Sequence, residues 1–395
     1  MKLLICVLSV VVATMADEIE DFKQQLNNGN DLFTANMFSE VLKQQNGKNV
    51  VLSAFSVLTP VAQLSLASSG ETHDLLLKTL GLPSDEAIKS VFPLVNAKLR
   101  DIKGVTLKQA SRIYLPLTAE LADDFAAASR DVFGSEAKNL DFTKNVESAK
   151  EINDWVEEQT NNRIQDLVDP DSIKPDTASL LVNAIYFKGT WKSKFDNAST
   201  TERDFHVSKD KTVKVPTMYQ KASFKYGESA ELDAKLLEMP YEGEKASFLI
   251  ILPNDIEGLP ALTEKLKEPQ HLNKALSEMY KGEIQVYIPK FKIETETDLK
   301  EVMSNMGLSS LFEPGKATID KLLKSKAPLY IGDAKQKAFI EVNEEGSEAA
   351  AANVFGIAYM SAVISEPLIF NVNHPFVFAL MQKRTMLFNG VFQSL

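Results

Sequence analysis

Apolar residues in the first part of the chain recur at helical spacing. Phe33, Met37 and Val41 fall four apart and predict a helix with one apolar face. Residues 146–159 repeat this pattern and predict a second amphipathic helix. The strongly apolar residues 50–67 contain Pro60, which is expected to break their element because proline lacks the N–H that a helix interior needs.

Later in the chain the pattern changes to that of strands. Residues 180–187 and 248–252 are nearly continuous apolar runs, typical of strands buried on both faces. Apolar and polar residues alternate over 284–288, which predicts a half-buried strand. Residues 376–381 and 386–392 are apolar runs joined by four polar residues, and they predict a hairpin.

This order of elements predicts the fold class. Helices are commoner early and strands commoner late, which favours an α+β architecture over a doubly wound parallel sheet. No internal repeat, low-complexity tract or Pro/Gly/Ser-rich linker divides the chain. We therefore expect one domain over residues 17–395.

Composition excludes several partners. The chain has 395 residues, 44% of them hydrophobic and 25% charged, enough for a sizeable core, and its formal net charge is −11. Such a charge repels nucleic-acid phosphates and anionic membranes, so neither is expected as a partner. One local cluster is basic and consists of Lys98, Arg100, Lys103, Lys108 and Arg112. We interpret it as an ordinary solvated surface in preference to a polyanion site.

Residues 1–16 have the pattern of a signal peptide. Lys2 is followed by about eleven apolar residues, too few to span a bilayer, which needs ~20. The expectation is a secreted, extracellular protein cleaved after Ala16. Cys6, the only cysteine, would be removed, which excludes cysteine catalysis, zinc–cysteine sites and redox motifs. The sequon at Asn197 is a candidate N-glycosylation site.

No motif of a known catalytic site is present. The chain lacks the nucleophile elbow, the phosphate-binding loops and the H-E-x-x-H zinc motif. Its four histidines, His73, His206, His271 and His374, lie far apart. A dispersed Ser-His-Asp triad remains an alternative. Structural or surface roles are favoured, with His374 hydrogen-bonded in a turn, and neither a metal nor a cofactor is expected.

Residues 341–352, E-V-N-E-E-G-S-E-A-A-A-A, are the most informative segment. By propensity alone they predict a strand followed by a helix, with Ser347 as the cap and four alanines as strong helix formers. The same segment closely resembles the reactive-loop hinge of the serpin family, and other blocks resemble that family in the expected order. These blocks are 49–57 (N-V-V-L-S-A-F-S-V), 181–191 (L-V-N-A-I-Y-F-K-G-T-W), 239–241 (M-P-Y), 289–291 (P-K-F) and 370–378 (F-N-V-N-H-P-F-V-F).

The resemblance covers essentially the whole mature chain and is greatest to arthropod haemolymph serpins. It implies helices packed around a large main β-sheet, smaller sheets, and an exposed reactive-centre loop at about 346–366. It also implies a monomeric serine protease inhibitor that acts as a suicide substrate: the protease cleaves the loop, stays bound as an acyl-enzyme, and is distorted when the loop inserts into the main sheet. The implied hinge residues are Glu344, Glu345, Gly346, Ser347, Glu348, Ala349, Ala350, Ala351 and Ala352. The implied shutter and breach residues, around which the sheet opens, are Ser53, Ser56, Asn183, Trp191 and Lys290.

The family's spacing places the reactive bond between Met360 and Ser361, with Tyr359 as the rival site. Such a bait suits chymotrypsin-like, elastase-like or subtilisin-like proteases. No Lys or Arg occurs in 346–382, which disfavours trypsin-like enzymes.

Two positions depart from the family pattern. Ala54 stands where proline is usual, and Gln336 stands where many relatives carry histidine, so a pH-sensitive shutter contact would be missing. A non-inhibitory binding or storage protein with this fold is the second alternative. The small hinge residues favour an active inhibitor.

Overall fold

The computed structural model describes residues 2–100, 103–325, 328–347 and 368–394, without the side chains of residues 2–16, 98, 100 and 347. Apart from short 3-10 and π turns, the helices of these residues are α1 Lys2–Gln45, α2 Ala54–Leu66, α3 Gly70–Leu80, α4 Asp85–Arg100, α5 Asp123–Ala128, α6 Asn145–Gln159, α7 Leu259–Lys265, α8 Pro269–Ser277 and α9 Leu299–Met303. The strands are β1 Val50–Leu52, β2 Val105–Pro116, β3 Lys138–Leu140, β4 Leu180–Thr190, β5 Thr201–Ser208, β6 Lys211–Ser229, β7 Ala234–Pro240, β8 Ser247–Pro253, β9 Tyr280–Pro289, β10 Phe291–Asp298, β11 Asp333–Val342, β12 Gly346–Ser347, β13 Leu368–Asn371, β14 Phe376–Gln382 and β15 Thr385–Phe392.

The described strands form two sheets. A nine-stranded sheet has the order β1-β15-β14-β8-β7-β6-β9-β13, with β5 paired to β6. A six-stranded sheet has the order β10-β11-β4-β2-β3, with β12 paired to β4. In the second sheet β4 and β11 run parallel, and β2 and β10 flank them antiparallel.

Strand β4 separates two apolar layers. Its residues Ile185 and Phe187 belong to the large core shared with α2 and the nine-stranded sheet. The intervening Ala184 and Tyr186 face a smaller core under α6, which contains Ile152. This two-sided burial explains why the strand lacks the alternation of a half-exposed one.

Most elements predicted from the sequence are confirmed. The early helix, the helix at 145–159, the strands at 180–190, 247–253 and 280–289, and the final hairpin are all present. The α+β architecture is confirmed as well. Helix α1 runs without interruption from Lys2, and the predicted cleavage after Ala16 stays a prediction. No helix built from the described residues is long and apolar enough to cross a membrane.

One local prediction was wrong: Pro60 does not break its helix. Helix α2 passes through Pro60, and all its residues from Ala54 to Ser65 are buried. The burial of this helix in the large core stabilises it by more than the one backbone hydrogen bond that is lost at Pro60. Ala54 is the first residue of α2, a position where proline also fits, so its replacement leaves the start of the helix in place.

Candidate functional site

The candidate site is the place where β4 and β11 part. Their parallel ladder extends from Leu180 and Asp333 to Tyr186 and Phe339, although β4 continues to Thr190 and β11 to Val342. At the far end of β4, Gly346 lies opposite Thr190 and Ser347 opposite Gly189, in antiparallel register. The chain therefore turns back after β11 and lies as a two-residue strand beside β4. The helix that propensity predicts after Ser347 falls on residues 348–352, which lie outside the described part, as do Tyr359, Met360 and Ser361.

Gly346 is required at this turn. Its φ of +145° lies in a region that L side chains rarely adopt, and an added Cβ would be 1.9 Å from the carbonyl oxygen of Gly189. The amide of Asn343 donates to the carbonyl of Gly346 at 2.9 Å, and the amide of Gly346 donates back to the carbonyl of Asn343 at 3.2 Å. Gly346, one of the implied hinge residues, therefore lies in a tight, hydrogen-bonded turn.

Trp191 holds this turn against the body of the protein. Its indole Nε1 donates to the carbonyl of Asn343 at 2.9 Å, and its backbone amide donates to the carbonyl of Glu345 at 2.9 Å. Its ring stacks on Tyr241, with centroids 4.7 Å apart and planes 5° from parallel. The large flat ring is buried, so the hinge rests on a rigid support.

Glu344 places a buried charge in the same turn. The side chain of Lys290 contacts one carboxylate oxygen at 2.8 Å, and the hydroxyl of Thr200 donates to the other at 2.7 Å. Burial raises the pKa of Glu344, but the hydrogen bonds from Lys290, Thr200 and the backbone, together with the charge of Lys290, outweigh it, so the pKa lies below its ordinary value. The next residue, Glu345, forms an ion pair with Lys194 at 2.5 Å.

The predicted shutter residues also meet, beneath the closed part of the sheet. The hydroxyl of Ser56 lies 2.7 Å from Asn183 Oδ1, and the hydroxyl of Ser53 donates to the carbonyl of Leu387 at 2.6 Å. Gln336 Nε2 reaches Asn183 Oδ1 at 2.8 Å and the carbonyl of Ser53 at 2.9 Å, while the amide of Ser53 donates to Gln336 Oε1 at 3.1 Å. These four side chains form a buried network without an ionisable group.

Pro60 contributes to this network through the hydrogen bond that it cannot make. In an unbroken helix the N–H of residue 60 would bond to the carbonyl of Ser56. Instead, that carbonyl accepts from Gln109 Nε2 at 3.0 Å and from Asn183 Nδ2 at 3.2 Å. Because Pro60 has no N–H, the carbonyl of Ser56 is left free to accept hydrogen bonds from side chains of β2 and β4. Sequence reasoning missed Gln109, although a proline inside an apolar helix marks the carbonyl four residues earlier as unpaired.

Asn197 and the histidines lie apart from the network. Asn197 is exposed at the start of a 3-10 turn, Asn197–Ser199, and its glycosylation stays a prediction. The buried His374 contacts the carbonyl of Pro253 at 2.8 Å and Asn373 Oδ1 at 2.9 Å, which confirms its role in a turn. In the part of the chain that the structure describes, no histidine contacts a serine hydroxyl in the way a triad needs.

Comparison with known proteins identifies the class. The family model described as "Serpin (serine protease inhibitor)" matches residues 28–394. Antichymotrypsin-2 of Bombyx mori is 56% identical over 95% of this chain and 99% of its own length. Antitrypsin of the same organism is 53% identical over 99% of this chain and 100% of its own.

A solved structure gives the same answer. The crystal structure of Serpin48, described as a highly specific serpin of the insect Tenebrio molitor, superposes with a TM-score of 0.86 at 35% identity, and covers 94% of this chain and 98% of that one. The chain therefore belongs to the serpin family. It is related to serine protease inhibitors, which react with proteases and are not themselves enzymes.

Proposed function

We propose that this protein is an active, secreted inhibitor that traps its target protease by inserting the cleaved loop between β4 and β11. The observation that carries the proposal is the pairing of Gly346 and Ser347 with β4 at the point where the β4–β11 ladder has ended. A strand that has already begun there needs only to continue along β4. In the covalent step the protease serine oxygen attacks the carbonyl of the bait residue, the peptide bond breaks, the new amine takes the proton, and an ester remains.

The register of these two residues assigns a neighbour to each later hinge residue. If this pairing continued in the inserted loop, Glu348 would lie opposite Lys188 and Ala349 opposite Phe187. Because paired residues point to the same face, Ser347, Ala349 and Ala351 would face the large core, and Glu348 would face outward beside a lysine.

Energetics favour such an insertion. Each new ladder hydrogen bond contributes about 0.5–1.5 kcal/mol, and a strand between β4 and β11 gains bonds on both sides. Serine and alanine on the core-facing side avoid the ~1–3 kcal/mol that each overpacked side chain costs. The hinge composition therefore suits fast entry into a narrow gap, although alanine is a poor strand former.

Ser347→Arg tests the insertion. The buried charge should stop strand entry and convert the inhibitor into a substrate. With chymotrypsin, we expect the SDS-stable complex to be nearly lost and the number of inhibitor molecules consumed per inhibited protease to rise at least about tenfold.

Glu348→Arg is the matched control, because it places the same side chain one residue away on the outward face. This variant should keep most of the complex. Normal complex formation by Ser347→Arg, or equal losses in both variants, would refute the insertion register.

We propose an apolar-pocket protease as the target. The two silkworm relatives carry names that point to chymotrypsin and to trypsin, so similarity alone does not choose between them. The absence of Lys and Arg over 346–382 supports an apolar pocket, since a trypsin-like pocket needs a basic bait.

Mass spectrometry of the peptide released during complex formation with chymotrypsin or elastase identifies the bond. We expect the new amino terminus at Ser361, after Met360. Oxidation of Met360 to its sulfoxide should then weaken inhibition, because the bait becomes polar. A peptide beginning at Met360 would assign the bait to Tyr359, and failure to form a complex with either protease would refute the target class.

Secretion rests on residues 1–16. The charged start, the short apolar stretch and the small residue at position 16 match an export signal. The exported protein should begin at Asp17, and N-terminal sequencing that finds Met1 retained would contradict this.

A further inference from the structure

The one N-glycosylation sequon of the chain, residues 197–199, lies beside the hinge. The chain is bonded to Glu344 on both sides of the sequon. The amide of Phe195 donates to the carbonyl of Glu344 at 3.0 Å, and the hydroxyl of Thr200 donates to its carboxylate at 2.7 Å. Asn197 is two residues from Phe195, and consecutive Cα atoms are about 3.8 Å apart, so these two Cα atoms are at most about 8 Å apart. The sequon is therefore close to the turn that anchors the hinge.

The two side chains that define the sequon are accessible. Asn197 is exposed and Ser199 is half-buried. The turn is closed by other groups: Asp196 Oδ1 accepts from the amide of Ala198 at 2.9 Å, and the amide of Thr200 donates to the carbonyl of Asn197 at 3.2 Å. Neither the Asn197 amide group nor the Ser199 hydroxyl is hydrogen-bonded to another described residue. Both are free for recognition and modification.

The feature next to the sequon is an open strand edge inside the six-stranded sheet. The pairing of β4 with β11 stops at Tyr186 and Phe339, and beyond it β12 covers only Gly189 and Thr190 of β4. Unpaired strand edges invite pairing with another chain, and proteins protect such edges by covering them. This edge needs a cover that excludes foreign strands and still admits the protein's own loop.

We propose that Asn197 carries an N-linked glycan, and that this glycan shields the open end of the β4–β11 gap from a strand supplied by a second copy of this chain. The proposal rests on the proposed secretion, because the sugar is transferred on the export route. In the covalent step the amide nitrogen of Asn197 displaces a lipid diphosphate from C1 of an activated oligosaccharide. The nitrogen loses one proton, and an N-glycosidic bond remains.

The shield acts on foreign strands because of where each strand starts. A glycan is bulky and hydrophilic, so it obstructs a strand that approaches the hinge from solvent. The protein's own loop does not make this approach, since Gly346 and Ser347 already lie on β4. The glycan should therefore slow uptake of a separate peptide and leave insertion of the tethered loop unchanged.

Mass spectrometry of the protein secreted by insect cells tests the modification. The wild type should exceed the mass of the unmodified mature chain by whole hexose and N-acetylhexosamine units. Asn197→Gln and Ser199→Ala should lose this excess because each destroys the sequon, whereas Ser199→Thr should keep it because the sequon accepts either hydroxyl. A wild type without the excess would overturn the proposal.

Uptake of a synthetic peptide with the hinge sequence 347–357, a stand-in for the strand of a second copy, tests the shield. Secreted Asn197→Gln and Ser199→Ala should take up the peptide at least about threefold faster than the secreted wild type, because the bulk of the glycan is gone. Secreted Ser199→Thr, the matched control, should match the wild type. Wild type and variants made in bacteria carry no glycan and should all show the fast rate, which separates the loss of the glycan from the substitution itself.

Equal uptake by secreted and bacterial wild type would overturn the shield, and so would a fast rate in secreted Ser199→Thr or no uptake by the bacterial protein. Complex formation with chymotrypsin, measured on the same samples, should not differ among the variants. Absence of the complex in every sample would count against the proposed inhibition, whereas the comparison of uptake rates decides on the shield.

Discussion

At the scale of single residues, the hinge turn depends on a charge kept almost out of water. Glu344 is 5% exposed and is held by two donors, Lys290 and Thr200, whereas the side chain of the neighbouring Glu345 is 18% exposed and pairs with Lys194. A buried carboxylate with two donors contributes more than a partly exposed one in a single ion pair, and removing it leaves its partners unsatisfied.

Glu344→Gln should therefore lower the thermal midpoint in a pH-dependent way. Because the pKa of Glu344 is lower in the folded state than its ordinary 4.5, the ionised form stabilises the fold above pH 4.5, and this contribution is lost as the pH falls through the folded-state pKa. We expect the free energy of unfolding to fall by about 1–3 kcal/mol at neutral pH, and by less below about pH 4. Differential scanning calorimetry at both pH values measures it.

Glu345→Gln is the control and should cost less at neutral pH, about 0–1 kcal/mol. A loss in Glu344→Gln that does not change with pH would show that the carboxylate charge adds nothing to the turn.

At the scale of elements, the important contact is the seam between β4 and β11. Asn183 and Gln336 are register partners across this seam, and their side chains join at 2.8 Å. An inserting strand has to separate them. The same two residues are tied to the start of α2 through Ser53 and Ser56, so opening the sheet also disturbs a helix terminus.

Gln336→Leu should loosen this seam. It leaves the amide of Ser53 without its partner and removes the cross-strand bond, a combined cost of about 2–4 kcal/mol. We expect a lower thermal midpoint and faster uptake of a synthetic peptide with the hinge sequence 347–357. Native gel electrophoresis measures the rate of this uptake.

Lys335→Gln is the control on the same strand, since Lys335 makes only a 3.5 Å contact with the half-exposed Glu296. The seam account fails if Gln336→Leu takes up the peptide no faster than this control.

At the scale of the whole molecule, the two sheets share one large core, and the divergence of β4 and β11 leaves room for another strand inside the six-stranded sheet. Cleavage of the loop should release its hinge end to fill this place. If about ten to fifteen residues insert at about 1 kcal/mol each, the folded state gains on the order of 10 kcal/mol.

The cleaved inhibitor should consequently unfold on the order of 20 °C above the intact one. Calorimetry before and after limited proteolysis within the loop measures this difference. The unfolding midpoint of Ser347→Arg should rise little when that variant is cleaved at the same bond. An unchanged midpoint for cleaved wild-type protein would favour the non-inhibitory binding or storage alternative.

Elements whose signals are local could be predicted from the amino-acid sequence alone. The spacing of Phe33, Met37 and Val41 predicts its helix because burial repeats every turn, and the apolar run in β4 predicts a strand covered on both faces. The hinge pattern at 341–352 likewise indicated the family without any contact being known.

Features that depend on partners distant in the chain could be read from the three-dimensional contacts alone. Propensity assigned Ser347 as a helix cap, but pairing with Gly189 and Thr190 placed Gly346 and Ser347 in a two-residue strand. Pro60 was expected to end α2, yet the freed carbonyl of Ser56 bonds to Gln109 and Asn183 instead. In both cases the outcome depends on hydrogen-bond partners from other strands, and local propensity carries no information about those partners.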